Sequence, residues 1–271
     1  MNDALRQASN LILAPMMWLC SSLGFIFESA RSPADMSNAN SSLLVPAGIA
    51  FAIWFPIFIL CISYGIIQAL PKNRTREIYR KVGPWSAAGF FGVCLWGIIN
   101  AFAPSANIET GSFDWLQWGT AIIFIPTVLL LVKAMLIVTK EKSKLQGYEY
   151  YAAWGGLSMI AGWCSIAVFL NWAPQTVAGF SALGLSAEIS CFIILVFSVM
   201  WVAYIQRRSG YNVLYTFPII WGLAFALIAL ISGAGDYTLL KGAEIGAMTA
   251  LISSIFVFRG TPVNTRLFGQ V

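Results

Sequence analysis

A row of large aromatic side chains lies in the segment 45–71, which contains no charged residue. Phe51, Trp54 and Phe58 follow Pro46 and are separated by three and four residues, so in a helix the three rings share one face. Aromatic rings offer large, flat contact surfaces to apolar molecules. This face therefore predicts contacts with something other than lipid.

Two further tryptophans lie inside apolar segments, away from the ends where aromatic belts form. Trp96 and Trp163 each lie about 17 to 18 Å along their own segments, at about 1.5 Å per helical residue. Asn100 is one turn beyond Trp96, and Asn171 is about two turns beyond Trp163. Together with Trp54, these side chains predict an aromatic cavity with a polar roof. The alternative is that the tryptophans pack against neighbouring helices and the asparagines bond to the backbone or to each other.

The residue types argue against most catalytic and metal chemistry. Histidine is absent, which excludes histidine-ligated haem, histidine-bound zinc or copper, and serine–histidine triads. The five cysteines never occur as Cys-x-x-Cys and lie in apolar segments, as buried thiols do. Walker loops, metal-ligand clusters and Gly-x-Ser-x-Gly motifs are also absent from the sequence. We therefore predict a protein that is not an enzyme and has no metal site.

The composition indicates which elements must position these residues. Hydrophobic residues make up 59% of the chain and charged residues 10%, whereas soluble domains carry about 25% charged residues. The predicted fold is an all-α, polytopic bundle of about eight membrane spans, or seven if the first is a cleaved signal peptide. No clear cleavage site follows the first segment, which favours an uncleaved span. The predicted spans are 11–27, 45–71, 85–103, 115–139, 151–170, 185–206, 213–232 and 242–258.

Basic residues mark one side of the predicted bundle. Fourteen of the 16 Lys and Arg residues fall in alternate loops, counting Lys133, which lies near enough to the end of the fourth span to reach the same surface, and only Arg31 and Lys241 fall in the others. The positive-inside rule places the basic loops in the cytoplasm, with both termini there. This distribution favours a topology signal over a nucleic-acid-binding surface. We therefore predict a multi-pass membrane protein with both termini in the cytoplasm that binds no nucleic acid.

Two acidic residues lie near the predicted outer ends of spans. Glu188 is close to the start of the sixth span and Glu244 close to the start of the eighth. An ionisable group in a membrane needs a partner or water to offset its desolvation. Both residues are within about a turn of the interface, so simple solvation is one interpretation and ion or proton coupling is the other.

Two sequence motifs resemble those of the TspO/MBR family, the translocator or tryptophan-rich sensory proteins. They are Pro46-Ala47-Gly48-x-x-Phe51-x-x-Trp54 in the second span and Trp163-x(3)-Ala167-x(3)-Asn171 in the fifth. The chain departs from the family pattern in two places. Pro46 has neither a second proline nor a preceding tryptophan, and Asn100-x-x-Ala103 replaces the family's Asn-x-x-Trp.

The resemblance implies a five-helix unit over 1–172 and a three-helix extension over 173–271 packed on the same bundle. It also implies a protein of the bacterial inner membrane that binds a porphyrin-like tetrapyrrole or a related hydrophobic small molecule, with a sensory, regulatory or transport role. The predicted partners are the lipid bilayer, this ligand, and a second copy or a membrane complex. The predicted ligand-binding residues are Pro46, Phe51, Trp54, Phe58, Trp96, Asn100, Trp163, Ala167 and Asn171.

Two alternatives from other functional classes stay open. An accessory subunit would use its aromatic and small-residue faces to pack against a partner membrane complex, without binding a ligand. A small-solute transporter would use Glu188 or Glu244.

Overall fold

The computed structural model describes residues 1–35, 42–104 and 115–265 of the chain. Eight long α-helices account for most of this part, and no β-strand occurs in it. The helices are α1 Asp3–Ser21, α2 Trp54–Ala69, α3 Glu77–Phe102, α4 Trp115–Lys140, α5 Gly156–Ala182, α6 Ala187–Arg208, α7 Val213–Ser232 and α8 Thr238–Phe258. A 3-10 segment, Gly48–Ile53, leads into α2, and a π-helical turn, Tyr150–Gly155, leads into α5.

Seven of the eight helices are long and apolar enough to cross a membrane, counted over the described ranges. They are α2 with its 3-10 segment, α5 with its π-helical turn, and α3, α4, α6, α7 and α8. The predicted all-α, polytopic bundle is therefore confirmed. The helix outside this set is α1.

Helix α1 differs from the predicted first span, 11–27. It begins at Asp3, where Asn2 caps it by accepting a hydrogen bond from the Leu5 amide at 2.8 Å, and it ends at Ser21. Polar residues in its first turns lower its mean hydropathy below that of the other helices. The apolar pattern did not indicate this start. Polar residues can be buried in a helix only where other groups form hydrogen bonds with them.

Those partners come from α2, α3 and the segment between them. Arg6 is only 1% exposed and donates hydrogen bonds to Gln68 Oε1 at 2.8 Å and to the Arg74 carbonyl at 2.7 Å. Asn10 donates from Nδ2 to the Gly83 carbonyl at 2.9 Å. Buried polar groups need such bonds, so α1 is fixed inside the bundle by its polar face.

Helix α5 is longer than predicted, because it continues past residue 170 to Ala182. Trp172 donates from Nε1 to the Ala121 carbonyl of α4 at 3.0 Å, and Ala173 and Val177 are buried. These contacts hold the added turns against the bundle. The predicted boundary between 1–172 and 173–271 thus lies within a continuous helix.

Helix α5 occupies the centre of the bundle. It packs against α2 and α4 on one side and against α6 and α7 on the other, while α8 packs on α6 and α7. Helix α1 packs on α2 and α3, and α3 packs on α4. The last three helices are therefore joined to the first five mainly through α5.

Asn212 connects three helices at the start of α7. Its Oδ1 accepts the Leu214 amide at 3.0 Å and so caps α7. Its Nδ2 donates to Ser158 Oγ of α5 at 2.8 Å and to Thr139 Oγ1 of α4 at 3.2 Å. An asparagine N-cap stabilises a helix by about 1 kcal/mol, and this one also satisfies two buried hydroxyl groups.

Both described ends of the chain lie at the end of the bundle that carries most of the Lys and Arg residues. Arg80 donates from Nε to Asp3 Oδ1 at 2.9 Å, which places the amino terminus beside the start of α3. Lys133 of α4 donates from Nζ to the Thr265 carbonyl at 3.1 Å, which places the last described residue near the same end. We call this the basic end and the other the opposite end.

Candidate functional site

Trp54 lies at the centre of an aromatic cluster between α2, α3 and α5. Its ring stacks on Phe58 with centroids 5.0 Å apart and on Trp96 at 6.3 Å, and Trp163 meets it edge-on at 6.1 Å. Phe51 in turn meets Trp163 edge-on at 6.0 Å. Edge-on and offset arrangements at these distances are the favoured geometries of aromatic pairs.

Trp96 is held by a hydrogen bond as well as by packing. Its Nε1 donates to Asn171 Oδ1 at 2.9 Å, and Asn171 Nδ2 donates to the Ala167 carbonyl at 2.8 Å. The opposite face of the Trp96 ring stacks on Phe124 of α4 at 5.2 Å. Trp96, Phe124, Ala167 and Asn171 therefore form a packed layer across α3, α4 and α5. Asn100 of α3 is buried as well.

A cavity of about 320 Å³ opens on the other side of Trp54, between the end of α1 and the start of α2. It lies at the opposite end of the bundle, below residues 32–34. Aromatic side chains form most of its wall, namely Trp18, Phe25, Phe51, Trp54, Phe55 and Phe58. We call it the α1/α2 cavity.

Three of the nine predicted site residues line the α1/α2 cavity: Phe51, Trp54 and Phe58. The other six lie elsewhere in the bundle, namely Pro46, Trp96, Asn100, Trp163, Ala167 and Asn171. Trp163 is only 1% exposed and reaches the cavity wall only through its contacts with Phe51 and Trp54.

The Pro46 motif packs against α7. The Ala47 amide donates to the Phe225 carbonyl at 3.1 Å, and Trp221 donates from Nε1 to the Ala50 carbonyl at 2.9 Å. The 3-10 segment between Pro46 and α2 is thereby fixed to the last three helices. It presents Phe51 to the cavity from that position.

Residues 31–35 close the cavity from above. Gly24 approaches this segment so closely that a β-carbon there would lie 2.2 Å from the Ser32 nitrogen, so only glycine fits. The Arg31 amide donates to the Ala101 carbonyl at the end of α3, at 2.9 Å. Ser32 donates from Oγ to Asp35 Oδ2 at 2.6 Å, and the hydrogen bonds from Ser32 lower the pKa of the Asp35 carboxyl. The segment is therefore held to the end of α3 through Arg31, and the bond between Ser32 and Asp35 fixes its own turn.

Two polar groups of the cavity wall have no hydrogen-bond partner among the described residues. They are the indole Nε1 of Trp54 and the hydroxyl of Ser21, and both atoms are buried. Leaving a buried donor unpaired costs about 1–3 kcal/mol, which a suitable acceptor in the cavity would recover. Two residues that line the site therefore carry buried hydrogen-bonding groups without a partner among the described residues.

The sequence-based prediction missed the contribution of α1. Trp18 stacks on Phe58 with centroids 6.1 Å apart and meets Phe55 edge-on at 5.7 Å. Ser21 lies three residues after Trp18, and therefore on the same helical face. A tryptophan inside an apolar segment was the available signal, as it was for Trp54.

The two acidic residues singled out in the sequence have different surroundings. Glu188 accepts the Leu240 amide on Oε1 at 3.2 Å and so satisfies a free amide at the start of α8. Glu244 is fully buried, and neither of its carboxyl oxygens has a partner in the part of the chain described. It borders a small cavity of about 20 Å³ together with Ser198.

These observations define a multi-pass helical membrane protein in contact with the lipid bilayer, with an aromatic cavity at one end. The sequence matches the family described as TSPO-like protein over residues 7–259. The chain therefore belongs to the TSPO-like family, and the match includes all of the last three helices. Comparisons with curated proteins and with solved structures give no match. Within 1–35, 42–104 and 115–265, no group of three or more His, Cys, Asp or Glu side chains could hold a metal ion.

Proposed function

We propose that this protein binds a hydrophobic, planar ligand of the tetrapyrrole class in the α1/α2 cavity. The observation that carries the proposal is the pairing of aromatic walls with the unpartnered donors Trp54 Nε1 and Ser21 Oγ. A porphyrin offers a flat apolar face to the walls and peripheral carboxylates to the donors. Ligand sites in proteins are typically apolar cavities with a few polar groups that fix orientation.

The size of the cavity limits how such a ligand fits. Its volume of about 320 Å³ is at the lower end of the range of about 300–1,000 Å³ that is usual for ligand sites. We expect a macrocycle to enter by one edge and to extend past Phe25 and Phe55, which are largely exposed. The ligand is then in contact with both the protein and the membrane.

We further propose a sensory, regulatory or transport role in the bacterial inner membrane. The basic end would face the cytoplasm, because cytoplasmic loops carry an excess of Lys and Arg. The α1/α2 cavity would then open on the other side of the membrane. A second copy of the chain or a membrane complex is the proposed protein partner.

Replacement of Trp54 by alanine is expected to weaken porphyrin binding about 10- to 100-fold, or roughly 1–3 kcal/mol. The substitution removes one wall and one of the two free donors of the cavity. Titration of the purified protein, followed by the Soret absorbance of the porphyrin, measures the effect.

Removal of the central metal of the porphyrin is expected to change its affinity for the protein less than about tenfold, since the chain has no imidazole to serve as axial ligand.

Trp118→Ala is the control, because Trp118 packs on Trp172 and does not line the cavity. It should bind porphyrin as the parent does.

Trp163→Ala distinguishes between two possible positions of the ligand. If Trp163→Ala weakens binding and Trp54→Ala does not, the ligand lies among α2, α3 and α5, outside the α1/α2 cavity. Absence of saturable binding by the parent protein would favour the accessory-subunit alternative.

A second candidate function is coupled transport of a small solute, and the unpaired carboxyl of Glu244 favours it. Intramembrane acidic residues often belong to proton or ion pathways. In proteoliposomes with a trapped pH-sensitive dye, the parent protein is expected to carry protons faster than Glu244→Gln. Glu188→Gln is the matched control, since Glu188 is engaged at the start of α8. Proton entry no faster than in protein-free liposomes would exclude this function.

A further inference from the structure

A groove of about 850 Å³ lies at the basic end, between the last turn of α2 and the connection from α4 to α5. Its wall combines the apolar side chains of Ile67, Leu70 and Tyr148 with the cations Lys72 and Lys144. We call it the basic groove. Because α2 ends at Ala69 and α4 at Lys140, the groove lies where the hydrocarbon core gives way to lipid headgroups.

A network of hydrogen bonds fixes the floor of the basic groove. Arg76 donates from Nη1 to both carboxyl oxygens of Glu149 at 2.7 Å and from Nη2 to the Lys144 carbonyl at 3.0 Å. Asn73 accepts from Arg76 Nη1 at 3.0 Å and donates to the Ile67 carbonyl at 2.7 Å. The two walls are thereby tied together, and the charge of Arg76 is balanced by Glu149.

The rim of the groove keeps an excess of positive charge. Lys72 is exposed and has no carboxylate of the described residues within 4.0 Å. Lys144 contacts Glu141 and lowers the pKa of that carboxyl, but Glu141 is shared with Lys81 at 3.4 Å. The Glu141 carboxylate is therefore shared between Lys81 and Lys144.

The same imbalance holds across the surrounding surface. The segments 3–6, 72–81 and 140–149 carry nine Lys and Arg residues against four Asp and Glu residues. All four carboxylates already lie within 4.0 Å of a Lys or Arg side chain. An anion approaching the basic groove meets cations that are not neutralised by the protein.

We propose that the basic groove binds an anionic phospholipid. The phosphate and the anionic headgroup lie between Lys72 and Lys144, and the first acyl methylenes pack on Ile67 and Leu70. The Tyr148 ring lies at the headgroup level, where tyrosine is enriched in membrane proteins. A free inorganic anion would use the lysines and leave the apolar wall without a partner. An anionic lipid uses both, which is why the groove's mixed wall favours it.

The test is native mass spectrometry of the full-length protein released from micelles that contain equal amounts of phosphatidylglycerol and phosphatidylcholine with identical acyl chains. The parent protein is expected to retain phosphatidylglycerol preferentially. The double variant Lys72→Gln/Lys144→Gln is expected to lose at least about tenfold of this preference. Arg207→Gln/Arg259→Gln is the matched control, because it removes the same charge from exposed positions at the ends of α6 and α8. This control is expected to keep the preference.

A charge-conserving variant and a competing anion complete the test. Lys72→Arg/Lys144→Arg keeps the charges and is expected to keep the preference, which separates charge loss from misfolding. A parent protein that retains both lipids equally, or a glutamine double variant that retains phosphatidylglycerol like the control, would overturn the proposal. Displacement of the lipid by millimolar inorganic phosphate would also overturn it, because the groove would then be a site for free anions.

Discussion

Replacement of Trp96 by alanine is expected to lower the free energy of unfolding by about 3–5 kcal/mol, the usual cost of truncating a fully buried tryptophan. The Trp96 ring is stacked between Trp54 and Phe124 and is only 5% exposed, so the neighbouring helices cannot easily close the space. The truncation also leaves Asn171 Oδ1 without its donor. Equilibrium unfolding in mixed micelles, followed by circular dichroism, measures the change.

Two further variants help to interpret the effect of Trp96→Ala on stability: one removes the hydrogen bond of Trp96 and keeps a ring, and the other removes an exposed tryptophan as a control. Trp96→Phe keeps a ring between the same neighbours and loses the bond to Asn171, so a cost of about 1 kcal/mol is expected. Trp115→Ala removes a tryptophan that is 75% exposed and is expected to change stability by less than about 0.5 kcal/mol. If Trp96→Ala is as stable as Trp115→Ala, the aromatic side chains around Trp96 do not form a tightly packed layer.

Introduction of a single methyl group at Gly162 is expected to destabilise the bundle by about 3 kcal/mol, near the upper end of typical overpacking costs. A β-carbon at Gly162 of α5 would lie 2.0 Å from the Tyr215 carbonyl oxygen of α7 and 2.9 Å from the Pro218 ring. Small residues allow helix backbones to approach closely in membranes, and here the obstacle is backbone, which cannot rotate away. Thermal unfolding of Gly162→Ala in detergent measures the loss.

Gly246→Ala is the matched control for this prediction. Gly246 also lies within a helix, α8, but a β-carbon there would meet no atom of the described chain within 4 Å. Alanine is favoured over glycine inside a helix by up to about 1 kcal/mol, so this variant should be unchanged or more stable. The two substitutions are chemically identical, but only Gly162→Ala should be destabilising. Equal effects would mean that α5 and α7 do not meet at Gly162.

The membrane spans could be predicted from the sequence because each apolar segment and each basic loop is a local property. Mean hydropathy and the positions of Lys and Arg place α2 with its 3-10 segment, α4, α6, α7 and α8 within about four residues, whereas α3 begins at Glu77 instead of 85 and α5 continues to Ala182 instead of 170. The start of α1 could not be predicted this way. Arg6 is tolerated inside the bundle only because Gln68 and the Arg74 carbonyl accept its hydrogen bonds, and those groups come from distant parts of the chain.

The aromatic residues illustrate a second limit of sequence-based prediction. Depth along each helix could be calculated from the rise per residue, and Trp54, Trp96 and Trp163 do lie side by side. The rotation of each helix about its axis could not be calculated, because helices that are apolar on all sides have no polar face to orient them. That rotation turns Trp96 and Trp163 into the interior.

The position of Asn212 has a consequence for the order of events during synthesis. Thr139 and Ser158 enter the membrane with α4 and α5, before the ribosome has made the asparagine whose amide they accept. Until α7 arrives, these two hydroxyl groups lack the partner that the finished bundle provides. We therefore expect the hydrogen bonds that connect α4 and α5 to Asn212 to form only after α7 has been inserted. In this respect the last three helices complete the buried polar contacts of the first five.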